Sequence, residues 1–266
     1  MGKLRKRHSS DGVIAKKHLG QHFLNRPDIA QDIADLVSDE VDIVIEIGPG
    51  TGVLTQFLYP RFKEKLYVIE LDLESVDFLR QQDWAFGLNI IEGDFLEMDL
   101  QDFLGNKKVS IVGNYPYNIS TQIVFKLLEE PWNVIQFCGM FQKEVAERLS
   151  SGPGNKQYGI TSILLQAAFH CKYSFSVDEH AFIPPPKVKS GVIDCHRYSY
   201  LENENYFRLK KITKQAFSQR RKTLSNALKP ILLDKTLPEK FASKRAEALN
   251  VEDFWELVNF FYSSTY

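Results

Sequence analysis

At 266 residues with 44% hydrophobic side chains, the chain can form one sizeable α/β domain and a small appendage. Its three cysteines, Cys138, Cys171 and Cys195, are odd in number and lack paired ligand spacing, so they read as reduced core thiols and no metal site is expected. A net charge of −1 argues against a uniformly basic nucleic-acid binder, and no stretch approaches the roughly 18 apolar residues that a membrane-spanning helix requires.

The charge is segregated along the chain. Residues 1 to 22 hold six Lys or Arg, Lys16 and Lys17 among them, and one acid, a balance of +5. Residues 205 to 233 hold eight basic residues and no acid, so the rest of the chain carries −14. That segregation is the footprint of a protein that meets phosphate on one side. A basic run is more often only a solvated face, but the lack of any acid from 205 to 233, with Phe207 and Phe217 interleaved, favours RNA. The basic N-terminus leads into Asp11 and Gly12 rather than an apolar segment, which predicts a soluble, cytoplasmic protein.

The first strong element runs from Val41 to Ile47, too apolar for a solvated edge strand, and enters Gly48-Pro49-Gly50-Thr51-Gly52 at once. A strand feeding a glycine-rich turn and a helix is the first unit of a doubly wound α/β sheet, with backbone N–H groups turned towards a ligand. Leu66 to Ile69 forms a second strand ending in Glu70, about 20 residues past the glycines, where a carboxylate can grip both ribose hydroxyls. A third, Leu88 to Ile91, leads to Asp94, placed to accept from an adenine amine. Dinucleotide dehydrogenases use a similar turn. Here the spacing is Gly-x-Gly-x-Gly, and the Glu46 charge disfavours a pyrophosphate but suits the cationic end of S-adenosylmethionine, so a methyl donor is favoured over NAD.

A fourth strand, Val109 to Gly113, leads into Asn114-Tyr115-Pro116-Tyr117-Asn118. By composition this is either a tight turn or a site for chemistry on the exocyclic amine of a nucleobase. Such an amine is a poor nucleophile, because its lone pair is delocalised into the ring. Two acceptors must hold its protons and draw the nitrogen towards tetrahedral geometry. The Asn114 side-chain oxygen and the carbonyl between Tyr115 and Pro116 suit that task, and Tyr117 offers a stacking face for a base turned out of its loop. Beyond it, Gly152 to Gly159 reads as a loop that either borders the base or merely connects, and Gly191 to Arg197 as a last strand. After Asn203 the pattern changes to short helices, with Pro230 and Pro238 as breakers. Residues 1–200 are thus expected to form a Rossmann-like domain with a basic arm, and 201–266 a small helical domain facing RNA.

Taken together, these residues resemble the ribosomal RNA adenine dimethyltransferases of the small subunit. The likeness runs from Leu19-Gly20-Gln21-His22-Phe23-Leu24 through Glu46 to Gly52, Val68 to Asp72, Gly93-Asp94, Gly113 to Thr121 and Gln142 to Leu149. It continues in Ala181-Phe182-Ile183-Pro184-Pro185-Pro186-Lys187-Val188 and in Ala216 to Leu228. Any one motif is weak, but the combination is specific and covers most of the chain. The resemblance implies a Rossmann-like S-adenosylmethionine-dependent sheet with a small C-terminal all-helical domain. It implies a donor site at His22, Leu24, Gly48, Gly50, Glu70, Asp94 and Asn114. It implies chemistry at Asn114, Pro116 and Tyr117, with Phe182 sandwiching the base against Tyr117. The charge segregation adds expected RNA contacts at Lys16, Lys17 and a basic helix bearing Arg220, Arg221 and Lys222. Two residues depart from the family pattern, His22 for Asn and Tyr115 for Leu, and Tyr115 either touches RNA or packs inward.

The activity so implied is dimethylation of two adjacent adenosines in the 3′-terminal hairpin loop of 16S ribosomal RNA during late small-subunit assembly, by a monomer. Three alternatives stand beside it. A large-subunit methyltransferase of the same fold would confer antibiotic resistance, but Pro184 to Val188 and Gln219 to Thr223 argue against it. A DNA adenine methyltransferase would need a target-recognition domain that the sequence does not display. An assembly factor would act mainly by binding.

Overall fold

The computed structural model describes residues 9, 10, 12–130, 132–233 and 235–262. Much of the basic N-terminal arm, residues 1–8 and Asp11, lies outside them.

Seven strands form one sheet: β1 (Ile43–Ile47), β2 (Leu66–Glu70), β3 (Asn89–Glu92), β4 (Val109–Asn114), β5 (Val134–Gln142), β6 (Phe169–Val177) and β7 (Ser190–Arg197). Their order is β3-β2-β1-β4-β5-β7-β6, and the pairs from β3 through to β5 are parallel, with β7 antiparallel to β5. A parallel sheet is covered by helices on both faces, so its central strands are buried and mostly apolar. All five residues of β1 are buried, and in β4 only Asn114 at the carboxyl end is partly exposed. The strand order reverses between β1 and β4, and ligands of such sheets bind at the carboxyl ends beside that switch. One side of the core gathers Ile33 and Ala34 from the helix Pro27–Leu36 and Leu58 and Phe62 from Thr55–Phe62, against Val44, Val68, Val112 and Met140.

The register of β4 against β5 sets Gly113 opposite Gly139. A Cβ on Gly139, whose φ is +133°, would lie 2.2 Å from the Gly113 carbonyl oxygen and 2.9 Å from the Tyr115 ring. The two glycines therefore make room for Tyr115, which is 1% exposed and packs between Phe137 and Phe141. Its hydroxyl donates to the Cys138 carbonyl at 2.7 Å. Tyr115 packs inward.

The chain divides into two compact units, 1–146 with 172–197 and 147–171 with 198–266. The sequence reading drew one boundary at 200, whereas the second unit also takes in the Gly152 to Gly159 loop and the helix Ile160–Gln166. That helix buries Ile163, Leu164 and Leu165 and packs on Asn203–Phe217. Within this unit, two of the helices are not short: Asn203–Phe217 has 15 residues and Val251–Tyr262 has 12. Pro230 lies in the first turn of Lys229–Leu232 and Pro238 caps Glu239–Ala242, so both open helices, where a missing N–H costs nothing.

The basic stretch Arg220-Arg221-Lys222 is not helical as expected. The helix stops at Phe217, where the Ser218 hydroxyl bonds back to the Gln215 carbonyl, and the following residues form turns. Phe217 stacks on Phe254, whereas Phe207 is 52% exposed. No described helix is long and apolar enough to cross a membrane.

Candidate active site

At the carboxyl ends of the parallel strands lies a cleft lined by Leu19 to Leu24, Glu46 to Thr51, Ile69 to Leu71, Gly93 to Phe95 and Asn114 to Ile119. Gly48, Gly50 and Gly52 adopt φ of +66°, +57° and +79°, the left-handed region that glycine enters without strain. At Gly50 a Cβ would also stand 2.9 Å from the Phe23 ring. At its glycines the turn thus leaves only backbone against the cleft.

Glu70, 6% exposed, receives the Gly50 N–H at 3.0 Å on one carboxylate oxygen and the Asp72 N–H at 2.9 Å on the other. Both oxygens are fixed, and each keeps a lone pair for a further donor such as a ribose hydroxyl. Burial nevertheless pushes the Glu70 carboxyl above its usual range, against the two amide bonds. Glu46 is more deeply buried, and its carboxyl is pushed up to about 8 by desolvation. Among the described residues its Oε2 has no hydrogen-bond partner, although it belongs to a residue that lines the cleft. A carboxyl so buried stays mostly neutral at pH 7 unless a cation stands beside it, which favours its ionised form. The glycine turn, the anchored Glu70 and the buried Glu46 together fit a ribose-bearing ligand with a positively charged end, as S-adenosylmethionine is. Asp94 completes this wall, with Oδ1 accepting the Leu96 N–H at 2.9 Å.

Asn114 closes β4 and donates from Nδ2 to the His22 carbonyl at 3.0 Å, which leaves Oδ1 as the acceptor of its amide. The Pro116 carbonyl accepts from the Ile119 N–H at 3.2 Å and the Tyr117 carbonyl from the Ser120 hydroxyl at 3.3 Å. The run is therefore also a turn leading into the helix Ser120–Glu129. Tyr117 shares a short hydrogen bond with the Ser190 hydroxyl, and its ring stacks on His22 with centroids 5.4 Å apart and planes inclined by 27°. Burial raises the Tyr117 phenol above its usual value, only partly offset by Ser190.

The cleft brings together nine expected residues: His22, Leu24, Gly48, Gly50, Glu70, Asp94, Asn114, Pro116 and Tyr117. Phe182 is not among them. Its backbone pairs with Leu24 in a two-stranded ribbon and its ring is 2% exposed within the apolar core, so it presents no face to a base in this structure. Lys16 is also corrected. Its ammonium is bound by Asp72 and Glu74, which hold it above the usual lysine range, so it is engaged in an ion pair rather than open to phosphate. Lys17 is exposed. Arg220, Arg221 and Lys222 are all exposed, and Arg220 pairs with Glu247 at 3.2 Å and donates to the Tyr158 carbonyl at 3.3 Å and to that of Lys156.

Asp72 is the residue that sequence reasoning overlooked. It caps the helix Leu73–Arg80 through the Glu74 N–H and binds Lys16 and, at 2.9 Å, Gln21. Burial opposes ionisation, but the bonds from Gln21 and Lys16 hold its carboxyl below the usual range. The segment leading to His22 is thereby fastened beside the cleft. An Asp one residue before an apolar helix start was the available signal. Among the described residues one group of potential metal ligands, Asp178-Glu179-His180, lies together, and it has its own bonding: Asp178 caps the following turn and pairs with Lys189 at 3.1 Å.

Comparison with known proteins agrees with this architecture. Residues 13–262 match the family model described as ribosomal RNA adenine dimethylase. A relative from Cytophaga hutchinsonii named ribosomal RNA small subunit methyltransferase A is 47% identical over 254 residues, 93% of this chain and 97% of the relative. A crystal structure of a dimethyladenosine transferase from Plasmodium falciparum superposes with a TM-score of 0.76 at 25% identity, covering 91% of this chain and 98% of that one. A 23S rRNA methyltransferase structure superposes with a TM-score of 0.68 at 20% identity, covering 90% and 99%, a likeness of fold alone. The cleft, the sheet order and the matched length lead to one conclusion: this chain belongs to the ribosomal RNA adenine dimethylase family.

Proposed function

We propose that the chain dimethylates the exocyclic amines of two adjacent adenosines in the 3′-terminal hairpin loop of 16S ribosomal RNA, taking methyl groups from S-adenosylmethionine during late small-subunit assembly. It works as a cytoplasmic monomer. The observation that carries this reading is the convergence in one cleft of an amine-binding run, Asn114 to Tyr117, with a glycine turn and the anchored carboxylate of Glu70.

The donor would be held by Glu70 at its ribose, Asp94 at its adenine, the backbone of Gly48 and Gly50, and Glu46 opposite its positive end. When bound, it supplies a sulfonium methyl whose carbon already carries its leaving group, so neither a covalent enzyme intermediate nor a strong general base is called for. What remains for the protein is alignment and polarisation. Asn114 Oδ1 and the carbonyl between Tyr115 and Pro116 accept the two amine protons, which draws the nitrogen lone pair out of the ring. Tyr117 sets the plane of the base. The amine proton leaves to solvent as the nitrogen–carbon bond forms, and rotation or rebinding of the monomethylated amine presents it a second time.

Of the cations expected at RNA, Lys17, Arg221 and Lys222 are exposed and would meet phosphate, and Lys211 and Lys214 are exposed on the helix Asn203–Phe217. Transfer of labelled methyl groups to undermethylated small subunits, naked small-subunit RNA, large subunits and duplex DNA, run in parallel, tests the reading. Small subunits should be the preferred acceptor, and preference for large subunits or DNA overturns it.

A further inference from the structure

His22 is tied to the reaction loop at two points and to the proline run Pro184 to Pro186 at a third. Its carbonyl oxygen accepts from Asn114 Nδ2 at 3.0 Å, its ring stacks on Tyr117, and its Nδ1 lies 2.7 Å from the Pro184 carbonyl oxygen. A carbonyl oxygen only accepts, so Nδ1 carries the proton and the imidazole orientation is fixed. Tyr117 is held at its far end by Ser190. A tyrosine ring has two side-chain torsions, and a hydroxyl contact at its tip leaves rotation of the ring plane free; a second ring against its face removes that freedom.

We infer that the His22 side chain is a positioning residue for methyl transfer: it backs one face of Tyr117, sets the plane of that ring, and leaves the opposite face for the target adenine. This rests on the adenine amine being the acceptor. The role expected of Phe182 is thereby recast. That ring is buried in the core, and the aromatic partner of Tyr117 is His22, which acts through Tyr117 rather than on the base. The segment that carries His22 is itself seated tightly. Gly20, at φ +68°, has no room for a Cβ, which would stand 2.5 Å from Asn118 Oδ1 on the same loop as Tyr117.

The backbone contact to Asn114 survives any substitution at position 22, so side-chain variants isolate the ring. His22→Ala should lower kcat roughly ten- to a hundredfold through misplacement of the base, with KM for small subunits changed less than about threefold and with any loss of donor affinity by calorimetry, which the donor-site expectation for His22 allows, smaller than the loss of kcat. His22→Phe keeps a stacked ring and loses only the bond to Pro184, so it should recover most of that rate. In a Tyr117→Ala background, His22→Ala should cost less than about twofold more, because the ring it positions is gone. Tyr117 ring-proton shifts, read by NMR without RNA, should move in His22→Ala and test the stack whatever the wild type methylates. The inference is overturned if His22→Ala weakens donor binding while kcat holds, if its loss multiplies in full with that of Tyr117→Ala, or if the Tyr117 resonances stay in place. Wild-type protein inactive on small subunits would fail the proposed function instead, a result distinct from any of these.

Discussion

Asn114 gives its Nδ2 proton to the carbonyl oxygen of His22, 92 residues earlier in the chain, and that single bond decides which end of the carboxamide faces the reaction. With Nδ2 occupied, Oδ1 is the end that can accept from an amine. Asn114→Ala should therefore lower kcat by about 10²- to 10³-fold, as for loss of one preorganised polar group. Asn114→Asp should do no better, since it sets an anionic oxygen against the His22 carbonyl. Small-subunit affinity, measured by filter binding, should stay near wild type for both. Near-wild-type methylation by either variant would remove Asn114 from the proposed role.

Two tyrosines separated by one proline should respond oppositely. Tyr115 is buried with its hydroxyl on the Cys138 carbonyl, so Tyr115→Phe should cost about 1–2 kcal/mol of stability and leave turnover intact. Tyr117→Ala should lower single-turnover rates severely with a smaller change in melting temperature. Thermal melts and single-turnover assays of the two variants side by side check this, and a catalytic defect in Tyr115→Phe would show that its ring is not merely structural.

The raised carboxyl of Glu46 makes donor binding proton-linked. At pH 7 a group with its midpoint pushed to about 8 is mostly protonated, and a cation beside it favours the ionised form. Binding of S-adenosylmethionine near neutral pH should therefore release up to about one proton, seen by calorimetry in buffers of different ionisation enthalpy. Glu46→Gln should abolish the Glu46 share of that release. The stability sign follows from the same shift: with the folded midpoint above the unfolded value of 4.5, the ligand-free protein is stabilised at low pH and loses that contribution as pH rises towards about 8. Equal proton release by wild type and Glu46→Gln would place the cation elsewhere.

The basic turn divides into a structural and a free part. Arg220→Glu loses the Glu247 pair and the carbonyl contacts at Lys156 and Tyr158, and should lower the melting temperature. Reversing Arg221 and Lys222 to Glu should leave the melt and donor affinity alone. It should weaken small-subunit binding and reduce the slope of log affinity against log salt by about two units. Subunit affinity unchanged by the double reversal would exclude this turn from the RNA surface.

The parallel sheet was legible because its central strands are mostly apolar runs, and the donor residues were legible because they sit at or just beyond the ends of those runs. Contacts made at long range were not. Nothing local marks Lys16 as the partner of Asp72, or Arg220 as the partner of Glu247, so both were read as free cations. Phe182 precedes three prolines, a local setting that suits an exposed ring; its burial follows from pairing with Leu24, a partner 158 positions away that no pattern reveals. The helical reading of Arg220 to Lys222 failed for a similar reason. Propensity favours continuation there, but Gln215 is drawn to the Ala227 carbonyl and the chain turns.

The central claim is tested most directly by mass spectrometry of small-subunit RNA after incubation of undermethylated subunits with the wild-type protein and S-adenosylmethionine. The account predicts two methyl groups on the exocyclic amine of each of two adjacent adenosines in the 3′-terminal hairpin, with none on large-subunit RNA treated in parallel. Monomethylated product at completion, or methylation of large-subunit adenosines in preference, would contradict it.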